Sequence, residues 1–144
     1  MTWFLLGLVR VLTGAQARWQ GCPPKAEQRI YFANHQSHAD LVMVWAALPQ
    51  ELRTITRPIA AKDYWTQTPF KQWLTTAVFN AVYVERERKG DEDPLQPLVD
   101  ALESGDSIIL FPEGTRGFTG EPQVFKAGLY NLAKRFPDVV LVPA

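Results

Sequence analysis

The only two histidines of the 144-residue chain, His35 and His38, fall within Asn34-His35-Gln36-Ser37-His38-Ala39-Asp40, a run that ends on a carboxylate. An imidazole that donates one ring N–H to a carboxylate has its tautomer fixed and its other nitrogen free to take a proton. This is the arrangement of a general base, worth roughly 10²–10⁴ in rate. On a regular helix His35 and Asp40 would diverge around the axis, but a non-helical turn at the start can fold His35 back over Asp40. Free N–H groups at a helix start would also stabilise a nearby anion. Two other readings of the run stay open. The histidines suit a polar helix cap without chemistry, and His35, His38 and Asp40 offer ligand atoms for a metal-dependent hydrolase. Against metal, no H-E-x-x-H pattern is present and Cys22 is far away in sequence.

These residues need a strand and a helix to place them. Arg29 to Ala33 (R-I-Y-F-A) reads as a short apolar strand, and Leu41 to Leu48 (L-V-M-V-W-A-A-L) as a buried helix stopped by Pro49. Ser37 and Asp40 form a capping-box-like pair between them. The histidines therefore sit at a strand-to-helix junction, a common place for chemistry in α/β proteins.

Similar units follow along the chain. Arg53 to Ala61 leans towards β-structure, and Pro58 predicts an edge strand or a bend, because proline donates nothing to a ladder. Lys62-Asp63 come directly after it. Thr68-Pro69 opens a helix with a cap residue followed by proline at the first helical position. Ala81 to Val84 is a third strand that runs into the charged stretch Glu85 to Lys89. Pro94 to Ser104 is a helix closed by Gly105, and Ser107 to Phe111 is a fully apolar fourth strand. The loop Pro112-Glu113-Gly114-Thr115-Arg116-Gly117 follows it, then a helix over Phe125 to Phe136 and a last buried strand from Val139 to Val142. This alternation predicts a single α/β domain with a largely parallel sheet flanked by helices. The chain stops straight after a buried strand with no covering helix, which is the expectation for a domain truncated at its C-terminus and leaves open a lipid-binding module without turnover.

Composition narrows the function classes. With 47% hydrophobic and 12% aromatic residues there is enough apolar material for a real core. Fifteen basic and fifteen acidic residues cancel, so no global field draws the chain to nucleic acid. A single cysteine excludes an internal disulfide and fits a reducing compartment. No run approaches the roughly 20 apolar residues of a spanning helix. Residues 1–20 hold an apolar block broken by Arg10 and followed by Arg18 and Trp19, without the leading positive charge of a secretory signal. They read as a helix, ended by Gly21-Cys22-Pro23-Pro24, that either packs on the domain or lies in a membrane interface.

Three predicted strand ends thus carry polar groups: His35 with Asp40, Arg86, and Glu113 with Arg116. In a parallel sheet these ends share one edge, so residues distant in sequence can surround one cleft. Two arginines there would suit a phosphate, which a guanidinium binds with two parallel hydrogen bonds. Arg86 equally fits a surface salt bridge with Glu85 or Glu87, and P-E-G-T-R-G an ordinary turn; a phosphate-binding P-loop is excluded by its missing pattern.

N-H-Q-S-H-A-D followed by F-P-E-G-T-R resembles the glycerolipid acyltransferases, typified by 1-acylglycerol-3-phosphate acyltransferases. The family's first block matches as His35 and Asp40, its third as Phe111 to Arg116, and its last as Val139 to Pro143. The second block, Asn80 to Arg86, keeps the arginine but has Asn80 for the usual glycine and Tyr83 for the usual phenylalanine. The resemblance covers Arg29 to Ala144. It implies a domain over residues 21–144 in which His35, held by Asp40, deprotonates a lysophospholipid hydroxyl as it attacks the thioester of acyl-CoA or an acyl carrier protein. Arg86, Glu113, Gly114, Thr115 and Arg116 would bind the acceptor, with Lys62 near its phosphate. No metal or further cofactor is implied, and the expected place of work is the cytoplasmic face of a membrane, held peripherally.

Overall fold

Five short strands build one sheet: β1 Arg29–Phe32, β2 Thr56–Ala61, β3 Val82–Val84, β4 Ser107–Leu110 and β5 Val140–Pro143. The computed structural model describes residues 2–14, 16–33, 39–85, 93, 95–111 and 125–144. The strand order is β3-β2-β4-β1-β5 and every pairing is parallel. The helices are α1 Thr2–Thr13, α2 Ala39–Ala47, α3 Gln50–Arg53, α4 Lys62–Trp65, α5 Pro69–Trp73, α6 Gln96–Glu103 and α7 Phe125–Arg135. A single π-helical turn, Leu74–Val78, continues α5.

A parallel sheet needs cover on both faces, and alternation along the strands supplies two apolar layers. Tyr31, Ala60, Ile109 and Val142 face one side, where they meet Leu6 of α1 and Leu41, Trp45 and Ala46 of α2. Ile30, Ile59, Val82, Val84, Ile108 and Leu110 face the other, against Leu98, Val99, Ala101 and Leu102 of α6 and Leu132 of α7. β4 is the central strand and is buried along its whole length. Ser107 opens it with a second task, since its hydroxyl accepts the Arg29 N–H at 2.9 Å and so sets β1 beside β4.

Four expectations need correction. The last strand, β5, is not buried: it forms an edge of the sheet, and of its residues only Val142 is buried. β2 is an interior strand, not an edge, despite Pro58. The Ser107 N–H donates to the Ile55 carbonyl, so alternation turns the nitrogen of Pro58 away from β4 and towards β3. The β3 ladder starts only at Ile59, so no ladder bond is lost at the proline. The segment Arg53 to Ala61 is strand only from Thr56, because Arg53 closes the short helix α3. The N-terminal helix ends at Thr13, well before Gly21: Gly14 adopts φ +62° and donates its N–H to the Arg10 carbonyl at 2.9 Å, a left-handed helix stop.

Candidate functional site

All five strands point the same way, so their C-terminal ends share one edge of the sheet. β1 and β4 end side by side there, with Phe32 opposite Leu110 and the Ala33 N–H donating to the Leu110 carbonyl at 3.2 Å. The chain leaves β1 towards the histidine run and leaves β4, through buried Phe111, towards Pro112. β2 and β3 also end together, with Ala61 opposite Val84.

Of the residues singled out in the sequence, Asp40 and Lys62 are described. Asp40 lies in the first turn of α2 and is half-buried, at the end of the helix that favours negative charge. Its helix is firmly seated. Trp45 meets Phe79 edge-on at 4.8 Å, the Arg53 guanidinium lies 5.3 Å from the Trp45 ring, and the same arginine donates to the Leu48 carbonyl at 3.0 Å. Lys62 opens α4 directly beyond β2, and its Nζ is 3.7 Å from Oε1 of Glu85, the first residue beyond β3. Both partners are about half exposed, so the pair leaves the ammonium open to a ligand. His35, His38, Arg86, Glu113, Gly114, Thr115 and Arg116 lie outside the described residues.

The sequence reading missed the pairing of Glu85 with Lys62, since it placed Glu85 in a charged stretch and considered it only as a partner of Arg86. The available signal was that Lys62 and Glu85 each stand one residue beyond a strand, so pairing β2 with β3 brings them together. It also missed Thr75, a fully buried hydroxyl in the π-helical turn. Thr75 donates to main-chain carbonyls of its own helix and shares a short hydrogen bond with the Tyr83 hydroxyl, tying β3 to the preceding helix. Asn80 enters β3 with φ +50°, the left-handed region that glycine adopts freely and asparagine tolerates. Its replacement of the family's glycine is therefore conformationally sound, and its carbonyl accepts from Arg57 Nε at 2.9 Å.

A largely apolar cavity of about 370 Å³ lies between α1, α2 and β5, lined in part by Val9, Trp19, Tyr31, Met43 and Val142, with Arg10 and Arg18 also contributing. Burial pushes the Tyr31 hydroxyl up from its ordinary value.

The family model described as Acyltransferase matches residues 20–144. The 1-acyl-sn-glycerol-3-phosphate acyltransferase alpha of Homo sapiens is 29% identical over 141 residues, which is 94% of this chain and 47% of that protein. The 1-acyl-sn-glycerol-3-phosphate acyltransferase of Helicobacter pylori is 28% identical over 109 residues, 75% of this chain and 44% of that protein. The chain thus spans about half the length of the curated relatives it matches. The crystal structure of the 1-acyl-sn-glycerophosphate (LPA) acyltransferase PlsC from Thermotoga maritima shares the fold, with a TM-score of 0.64 at 22% identity over 93% of this chain and 53% of that one. Motif blocks, sheet topology and a match running through most of the sequence agree, and the chain belongs to the glycerolipid acyltransferase family.

Proposed function

We propose that residues 21–144 carry the transfer of an acyl chain from acyl-CoA or acyl carrier protein to the free hydroxyl of a lysophospholipid such as 1-acylglycerol-3-phosphate. His35 accepts the hydroxyl proton while Asp40 holds the imidazole. The oxygen attacks the thioester carbonyl, and the tetrahedral intermediate collapses with loss of the thiolate, which takes the proton from the imidazolium. Backbone N–H groups at the start of α2 stabilise the oxyanion, each such donor being worth about 3 kcal/mol in other enzymes. Arg86, Glu113, Gly114, Thr115 and Arg116 hold the glycerol phosphate, and Lys62 adds a cation from the neighbouring strand end. Residues 1–20 form the membrane-proximal part. Among the described residues no helix is long and apolar enough to cross a membrane; the contact proposed here is a peripheral one, on the cytoplasmic face.

One observation carries this reading: β1 and β4, which lead into the two motif blocks, end side by side on one edge although they lie far apart in the chain. α1 supports the membrane role. Leu6 is buried on the domain while Trp3, Phe4, Val11 and Leu12 are 72–82% exposed. The test is thioester turnover with a lysophosphatidic acid acceptor. His35→Ala is expected to lower the rate by roughly 10²–10⁴ with the fold intact by circular dichroism. Equal rates in parent and variant would sink the role of His35.

A further inference from the structure

Among the described residues, most exposed large apolar side chains belong to α1, α2 and α5; α5 runs into the π-helical turn, whose Leu74 and Val78 pack on the same face of the sheet as α1 and α2. α5 stands out because it is separate from the N-terminal segment. Thr68 caps it, its hydroxyl accepting the Lys71 N–H at 3.2 Å, and the helix starts shortly after α4 leaves the C-terminal end of β2. From there the chain must run back across the sheet to begin β3, so the first turn of α5 lies towards the edge that carries the site. On α5 stand Phe70, in its first turn and 63% exposed, and Trp73, at its end and 37% exposed, their rings stacked with centroids 6.1 Å apart and planes 26° apart.

The helix that carries this pair has one charged residue, Lys71. Lys71 lies with its Nζ 3.7 Å from the centre of the Tyr64 ring and 3.3 Å from Gln67 Oε1. It is the only charged residue between Asp63 and Glu85, and residues 1–20 carry Arg10 and Arg18 without a carboxylate. Exposed aromatic rings flanking a lysine on one helix complement the headgroup and upper acyl region of an anionic bilayer.

We infer that Phe70, Lys71 and Trp73 form a second bilayer contact, separate from α1, that seats the C-terminal edge of the sheet against an anionic phospholipid surface. Two contacts on different elements fix an orientation, whereas α1 alone leaves the domain free to swing. The use of this contact in catalysis rests on the proposed acyl transfer; its affinity for lipid does not.

The test is co-sedimentation of the protein with vesicles of phosphatidylcholine mixed with phosphatidylglycerol. Phe70→Ala/Trp73→Ala is expected to weaken binding about tenfold, from the lost apolar burial. Lys71→Gln should weaken it on the mixed vesicles and leave it unchanged on pure phosphatidylcholine. Unchanged binding of the double variant overturns the inference. Quenching of tryptophan fluorescence by brominated lipid gives a check that needs no destabilising change: the parent should lose more signal than Trp73→Phe, and equal quenching overturns the inference. So does a parent dimer that the double variant dissociates, since the patch would then be an interface between copies. Vesicle binding through the patch with no thioester turnover would refute the proposed reaction and leave this contact standing.

Discussion

Arg29 illustrates how one residue can be asked to do structural work at the mouth of a strand. Its side chain is almost wholly buried, yet Nε and Nη2 reach Glu27 Oε1 at 2.9 and 2.7 Å, and Nη2 also donates to the Pro23 carbonyl at 3.1 Å. These bonds pin the loop before β1 to the sheet. The hydrogen bond from Arg29 holds the Glu27 carboxyl below its ordinary value. A carboxyl with a depressed folded value stabilises the fold fully above its unfolded value, roughly 4.3, and that stabilisation fades as pH falls through the folded value. Glu27→Gln is therefore expected to be less stable than the parent near neutrality, with the gap narrowing below about pH 4.3. Urea melts across a pH series measure this, and a gap independent of pH would refute it.

At the scale of elements, β3 has only three residues and depends on what surrounds it. Tyr83 ties it to the π-helical turn, and Asn80 makes the left-handed step that aims it into the sheet. The two positions where the second motif block departs from its family pattern are thus both engaged in placing the strand that leads to Arg86. Alanine has no local side-chain hydrogen bonding to offset a left-handed backbone, so Asn80→Ala is expected to cost about 1–2 kcal/mol. Asn80→Gly should be close to neutral, the conformation coming freely while the unfolded chain gains freedom. Chemical denaturation of the three proteins decides it: equal losses for both variants would show that the asparagine side chain matters and the backbone angle does not.

For the whole molecule, the core is organised about β4. Ile109 is fully buried at its centre, opposite Pro58 on one side and Tyr31 on the other. Ile109→Ala is expected to cost about 2–5 kcal/mol, as for other buried aliphatic truncations. Leu141 occupies the edge strand β5 and is 40% exposed, so Leu141→Ala should cost about 1 kcal/mol or less. Thermal melts of the pair test the asymmetry, and a reversed order would mean that the sheet is not centred on β4.

Local chemistry was legible without coordinates. The Thr68-Pro69 helix start, the φ +88° stop at Gly105 and the apolar run of β4 each follow from neighbouring residues alone, and so do the two motif blocks. The alternation of periods also announced a parallel α/β sheet, because strand–helix–strand units close in few ways. Strand order was not legible. β4 inserts between β1 and β2, and nothing local to Arg29, Thr56 or Ser107 states that these segments will be neighbours. That choice belongs to the packing of helices on both faces, which buries the most apolar strand at the centre. It is why Pro58 escaped its local rule and why Lys62 found Glu85: a residue's own type sets what it can do, and only the assembled sheet decides what stands opposite it.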